Sequence, residues 1–200
     1  ELDQDGPKLP PVSEDCLVLN VWTPGIGAAK RRPVMVWLHP GGFANGWATQ
    51  YGSDGARLAL KGDLVMVSLN HRLNAFGYLY LGELGGLKYA DSGNAGMLDI
   101  IQALSWVRDN IAAFGGDPRN VTIFGESGGG AKACVLMAMP AAQGLFHKAI
   151  VQSGPAVEMM PPDSATDTAR QVMKELGATS VSALVAAVPE PAAGFAFLLA

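Results

Sequence analysis

The motif with the clearest chemical meaning is a serine flanked by glycines at residues 125–129, with the sequence GESGG. In a Gly-x-Ser-x-Gly motif the serine lies on a sharp turn between a strand and a helix, with its hydroxyl exposed. Here an apolar, β-branched run at residues 121–124 precedes the motif, and a helical pattern over residues 131–139 follows it and ends at Pro140. This context favours a nucleophilic Ser127 over a chance serine in a glycine-rich turn.

A serine that attacks a carbonyl also needs hydrogen-bond donors for the oxyanion that forms. Gly128 follows the serine directly and offers its backbone N–H. Gly41 and Gly42 belong to the HPGGF loop (residues 39–43), which follows a predicted strand. Taken alone, this loop is equally typical of an ordinary turn. Together with the GESGG motif it indicates that the amides of Gly41, Gly42 and Gly128 form an oxyanion hole.

The base that must activate the serine is harder to find. In α/β-hydrolases an acid and then a histidine follow the nucleophile along the chain. Of the three histidines, His39, His71 and His147, only His147 follows Ser127, and no acidic residue lies between them. We therefore interpret His147 as structural and His39 as a buried imidazole that shapes its loop by hydrogen bonding. Glu126 is predicted to be a buried, hydrogen-bonded carboxylate rather than the acid of a triad.

Short apolar runs alternate with helical patterns along the chain. Such runs are typical of strands buried on both faces of a parallel sheet, and they lie at residues 34–38, 64–69, 121–124 and 148–151. Apolar residues at three- and four-residue steps predict a helix over residues 97–114, with Asn94 as its cap, and a weaker helix over residues 167–176. The alternation predicts a doubly wound α/β fold. Because no repeat or linker divides the chain, we treat it as one domain or a piece of one.

Composition excludes several functional classes. The chain has 200 residues, 49% of them apolar and 16% charged, which is typical of a globular core. A net charge of −4 leaves no basic face for nucleic acid. The two cysteines, Cys16 and Cys134, are too few for a disulfide scaffold and lack the spacing of a zinc site. We predict neither a metal nor a cofactor.

The two ends of the chain carry little information on location. Residues 1–11 are acidic and contain prolines, so they do not form a secretory signal. On this basis either the protein is cytosolic or its true N-terminus is missing. Residues 192–200 form an apolar run about half as long as a membrane span. We interpret this run as a core helix cut short rather than the start of a membrane anchor or sorting tail.

Several motifs together resemble the type B carboxylesterase and cholinesterase-like family. They lie at residues 13–21 (SEDCLVLNV), 39–43 (HPGGF), 70–73 (NHRL), 76–77 (FG), 93–99 (GNAGMLD), 114–118 (FGGDP) and 125–127 (GES). The resemblance implies an α/β-hydrolase with a mostly parallel central sheet and helices on both faces, incomplete in this chain. Residues 1–200 are then the N-terminal part of a single domain that cleaves small carboxylic esters through an acyl-enzyme. Its nucleophile is Ser127, and its oxyanion hole is formed by Gly41, Gly42 and Gly128.

Three positions depart from the family pattern. Pro40 replaces the first of three glycines and has no N–H to donate. His71 stands where the family usually has tyrosine, and Gly128 where it usually has alanine. The family's partner for Cys16 lies further upstream and has no counterpart here, and Cys134, on the predicted helix after the serine, is interpreted as a small core residue.

The resemblance also implies that the acid and histidine of the triad lie beyond residue 200, and it favours a secreted or periplasmic enzyme. Two alternatives stay open. One is a non-catalytic, cholinesterase-like binding or adhesion protein, and the other is an inactive truncated fragment. No nucleic acid is expected as a partner under any of these readings.

Overall fold

The computed structural model of the protein describes residues 13, 15–27, 29–50 and 55–187. Within these ranges five strands form one sheet in the order β1-β3-β2-β4-β5. The strands are β1 (Leu19–Trp22), β2 (Arg32–Leu38), β3 (Val65–Leu69), β4 (Gly116–Glu126) and β5 (Lys148–Gln152). All neighbouring pairs are parallel except β1 and β3, which are antiparallel. The predicted, mostly parallel sheet is therefore confirmed.

The four strands predicted from apolar runs are all present, and two details differ. β1 was not predicted, because its four half-buried residues include the polar Asn20 and carry no long apolar run. β4 begins five residues before the predicted strand, at Gly116, which pairs with Arg32. The register then shifts between Arg32 and Val34, so that Val34 pairs with Val121. The first part of β4 was not predicted because residues 116–120 have the sequence GDPRN, which contains no apolar run.

Seven α-helices are described. They are α1 (Gly55–Gly62), α2 (Asn74–Tyr78), α3 (Gly82–Gly85), α4 (Ala95–Asn110), α5 (Gly128–Ala138), α6 (Pro162–Glu175) and α7 (Val181–Ala187). The predicted helix over residues 97–114 corresponds to α4 and the 3₁₀ turn Ile111–Phe114 after it. Asn94 holds the N-cap position of α4, but its side chain makes no capping hydrogen bond. α6 starts five residues earlier than predicted because Pro162 suits the first position of a helix.

Helices cover both faces of the sheet. Val34, Val36 and Leu38 of β2 are fully buried in the main core. That core also includes Ile100 and Leu104 of α4 and residues of α5. The intervening side chains of β2 point to the other face, where they pack on a smaller cluster that includes α1. This arrangement confirms the predicted α/β class.

The register of the sheet also determines where loops meet. Leu38, the last residue of β2, lies opposite Gly125 near the end of β4. β3 runs parallel to β2 and ends at Leu69. The HPGGF loop, the segment after β3 and the turn at Ser127 therefore all leave the sheet at its carboxyl edge, which is where α/β proteins place their reactive sites.

Candidate active site

Ser127 occupies the turn between β4 and α5, as the motif predicted. Its backbone has φ 51° and ψ −118°, a strained conformation for a residue with a side chain. The turn is held from both sides, because the Ser127 N–H donates to the Gln152 carbonyl at 2.8 Å and the Ser127 carbonyl accepts from Ala131 at 3.0 Å. The residue is exposed to solvent. A hydroxyl on a rigid, exposed turn is what nucleophilic attack requires.

α5 begins directly after this serine, three residues earlier than the sequence pattern indicated. Its first residues, Gly128, Gly129 and Gly130, are buried. A β-carbon at Gly128 would overlap the backbone nitrogen and oxygen of Gly42. The lack of a side chain at Gly128 thus allows the helix to approach the HPGGF loop closely, and apolar periodicity does not reveal such a helix start.

The HPGGF loop makes a tight turn beside the serine. Gly41 and Gly42 have φ of 102° and 65°, values that side chains rarely adopt. The Gly41 carbonyl accepts the N–H groups of Ala44 at 3.3 Å and Asn45 at 3.2 Å. The structure therefore brings the predicted residues together: Gly42 contacts Gly128, which is joined to Ser127.

Two buried imidazoles stack here, one from this loop and one from the segment after β3. The rings of His39 and His71 stack almost in parallel, with centroids 4.7 Å apart and planes inclined by 4°. Their Nδ1 atoms lie 2.7 Å from the Pro40 carbonyl and 2.8 Å from the Arg72 carbonyl. Because a carbonyl only accepts, Nδ1 carries the proton in both rings. His39 is thus a buried imidazole bonded to its own loop, as predicted.

Burial keeps both rings neutral. Burial is the main cause that lowers the pKa of His39 to about 4 and that of His71 to about 3, and the charge of Lys132 lowers both further. Both Nε2 atoms are buried and have no hydrogen-bond partner among the described residues. A neutral ring with a protonated Nδ1 cannot donate from Nε2, so these atoms are bare acceptors.

Lys132 lies next to the candidate site and was not predicted from the sequence. It lies in the second turn of α5, is fully buried, and donates from Nζ to the His39 carbonyl at 3.1 Å. Burial lowers the pKa of its amine to about 7. Lys132 is the single charged residue in the otherwise apolar and glycine-rich segment of residues 128–138. Since lysine is seldom fully buried, its presence in such a segment was the signal in the sequence.

The segment after β3 is held in place by an ion pair. Asp99 of α4 accepts from the Arg72 backbone N–H and Nε at 2.9 Å each, and from Arg72 Nη2 at 2.7 Å. The Asp99 side chain is only 7% exposed, whereas that of Arg72 is 44% exposed. This fork fixes the backbone next to His71 onto α4.

Other predicted residues have simpler roles. Glu126 is half-buried rather than buried, so that prediction was wrong in its degree of burial: its strand position alternates with fully buried neighbours. The His147 ring accepts the Val121 N–H at Nδ1 at 3.2 Å, and the His147 backbone N–H donates to the Val121 carbonyl at 2.8 Å. These two bonds give His147 a structural role. Cys16 and Cys134 are both free and half-buried, so Cys134 is less buried than a core residue.

The described residues show no sign of a metal centre or a membrane-spanning helix. It contains no group of three or more histidine, cysteine or acidic side chains that could hold a metal ion. None of its helices is long and apolar enough to cross a membrane. The predictions for residues 1–11 and 192–200 lie outside the described residues.

Comparison with known proteins gives consistent matches. Residues 1–188 match the model of the carboxylesterase family. The chain is 48% identical over 170 residues to the para-nitrobenzyl esterase of Bacillus subtilis, covering 85% of this chain and 34% of that protein. It is also 48% identical over 157 residues to mouse carboxylesterase 3B, covering 78% of this chain and 26% of that protein. The chain thus spans about a third or less of the length of these relatives.

Solved structures agree with the sequence relatives. A carboxylesterase of Geobacillus stearothermophilus superposes with a TM-score of 0.81 at 42% identity, covering 88% of this chain and 39% of that one. An esterase of Clostridium hathewayi, described as able to hydrolyse aliphatic aromatic polyesters, superposes with a TM-score of 0.82 at 43% identity. That match covers 94% of this chain and 40% of the other.

Proposed function

This chain belongs to the carboxylesterase family, and from that premise we propose that it carries the nucleophile and oxyanion hole of a serine carboxylesterase that acts on small carboxylic esters. The observation that supports the proposal most directly is the contact between two separate segments. Ser127 is exposed to solvent and has a strained backbone. Gly128, the next residue, packs against Gly42 of the HPGGF loop. An ester carbonyl beside Ser127 thus has donors from both segments within reach.

The chemistry follows from these positions. The Ser127 hydroxyl attacks the ester carbonyl carbon, and its proton passes to a base. The negative charge that forms on the carbonyl oxygen is stabilised by the amides of Gly41, Gly42 and Gly128, each such donor being worth roughly 100- to 1000-fold in rate. The tetrahedral intermediate then expels the alcohol, which takes up the proton, and leaves an acyl group on the serine. Water cleaves this acyl-enzyme and releases the acid.

The base and its acid partner are proposed to lie outside residues 1–200. Each histidine in the chain has its Nδ1 engaged with backbone: His39 with Pro40, His71 with Arg72, and His147 with Val121. His39 and His71 are moreover buried. We accordingly propose that residues 1–200 form the N-terminal part of one α/β-hydrolase domain, whose remaining part supplies the acid and the histidine.

Active-site labelling of the full-length protein tests this function. We expect a fluorophosphonate to modify Ser127, located by peptide mapping, and Ser127→Ala to lose on the order of 10⁶ of the turnover of a p-nitrophenyl ester. Ser153→Ala is the matched control, because Ser153 is also exposed with a positive φ of 53°, at the end of the neighbouring strand. We expect it to keep the label and most of the activity. A wild-type protein that hydrolyses no ester and takes no label would instead indicate a non-catalytic binding protein.

A further inference from the structure

Lys132 is the buried group that the proposed ester chemistry leaves unused. It extends from α5, the helix whose first turn carries Gly128. Its side chain is fully buried, and none of the described carboxylates forms a salt bridge with it. Burying an amine without a counter-charge is costly, and apolar residues of similar volume usually serve stability better. The position of Lys132 therefore calls for an explanation other than packing.

The contacts of its amine lie at both ends of the HPGGF loop. Lys132 Nζ donates to the carbonyl of His39, the first residue of the loop, at 3.1 Å. The same Nζ lies 5.6 Å from the ring centroid of Phe43, the last residue of the loop, within the range of a cation–π interaction. Between these two contacts lie Gly41 and Gly42.

The two glycines at the centre of the loop depend on contacts made by its two ends. Gly41 and Gly42 place no restriction of their own on the backbone, and both adopt positive φ. The loop is anchored at its far end, where the Phe43 carbonyl accepts the Asn74 N–H at 2.8 Å and the Phe43 ring packs edge-on against Tyr78. At the other end of the loop, the Lys132 amine donates to the His39 carbonyl. Lys132 belongs to α5, which begins directly after Ser127.

We propose that Lys132 is a positioning residue that holds the HPGGF loop against the nucleophile helix, so that the amides of Gly41 and Gly42 stay in register with Ser127. The inference rests on the proposed function, because it assigns those amides to the oxyanion hole. Lys132 acts through the loop backbone and does not touch the substrate.

The test compares Lys132→Met with the wild-type full-length protein on a p-nitrophenyl ester. Methionine keeps the apolar stem and removes the N–H donors. Loss of positioning lowers kcat by about 10- to 100-fold, which is less than the effect of losing a whole donor. KM changes by less than about threefold, because only the oxyanion of the transition state is affected. The control is Lys61→Met, which removes an exposed lysine at the end of α1 and leaves both parameters unchanged.

Two further measurements separate positioning from general structure. A trifluoromethyl ketone forms a tetrahedral oxyanion on the serine. The affinity of Lys132→Met for this inhibitor decreases by the same factor as its kcat/KM. The melting temperature of Lys132→Met changes little, because the cost of burying the amine is removed together with its hydrogen bond to the His39 carbonyl. If Lys132→Met does not fold, Lys132→Gln, which retains an N–H donor of shorter reach, is subjected to the same measurements, with a smaller loss of kcat expected.

The outcomes are distinguishable. An unchanged kcat and inhibitor affinity in an active, folded variant overturns the role of Lys132 and leaves the proposed function intact. A loss of activity that is matched by a lower melting temperature, or that falls on KM, shows a merely structural role and also overturns it. A wild-type protein without esterase activity or serine labelling overturns the proposed function and this inference together.

Discussion

The buried histidine pair predicts a steep loss of stability in mild acid. An unfolded histidine takes up a proton near its ordinary pKa of 6.5, whereas folded His39 and His71 stay neutral down to about pH 4 and pH 3. The unfolded state thus binds more protons between these limits, so the free energy of unfolding falls as the pH falls from 6.5 towards 4. From pH 7 to pH 4 this loss is about 3 kcal/mol for each ring and roughly 6 kcal/mol for the pair, comparable with the total stability of many domains.

The window between pH 5 and pH 6 separates this effect from the titration of the carboxylates. Unfolded aspartate and glutamate titrate near about 3.9 and 4.3, below the window. Lys132, with a pKa of about 7, is charged in both states there. Two protons taken up on unfolding correspond to a slope of about 2.7 kcal/mol per pH unit. Urea unfolding of the full-length protein, followed by tryptophan fluorescence at several pH values, measures this slope.

His71→Phe supplies the decisive comparison. Phenylalanine keeps a ring to stack on His39 and removes one titrating group, so the slope decreases by about 1.4 kcal/mol per pH unit. Asp63→Asn is the control: Asp63 is an exposed carboxylate whose pKa the guanidinium of Arg32 lowers, and its removal leaves the slope in this window unchanged. Equal slopes for wild type and His71→Phe would show that His71 is not held neutral by burial, and would refute the reasoning.

Three further substitutions test the packing around the site. Gly128→Val places a branched side chain against the backbone of Gly42, displaces the HPGGF loop and lowers kcat about tenfold or more; steady-state kinetics of the full-length protein check this. Asp99→Asn weakens the fork to Arg72 and lowers the free energy of unfolding by roughly 1–2 kcal/mol in urea titrations, and an unchanged midpoint would contradict the role of the fork. Ile123→Ala, in the fully buried centre of β4, lowers it by about 3–4 kcal/mol in the same assay.

Features that depend on local pattern were predictable from the sequence. The strands β2, β3 and β5 have continuous apolar runs, and the GESGG turn has a motif whose geometry follows from its glycines. Features that depend on contacts between distant segments were not. Gly128, the first residue of α5, lies against Gly42, which is 86 positions away in the chain, and no periodicity records such a contact.

The buried lysine illustrates a second limit. A single Lys132 among alanines and glycines is visible in the sequence, but its partner is a backbone carbonyl, which every residue possesses. Only the fold shows that the carbonyl belongs to His39. The stacking of His39 on His71 was equally hidden, because two parallel strands with separate loops bring together residues 32 positions apart.

The anchoring of Ser127 to Gln152 has a dynamic consequence. β5 is the outermost strand of the described sheet on its side, and outer strands open more readily than central ones. Because the Ser127 N–H is bonded to the β5 carbonyl of Gln152, exchange of that amide with solvent deuterium reports the opening of β5 rather than that of the buried β4. Through this hydrogen bond the opening of the outer strand is coupled to the backbone of Ser127.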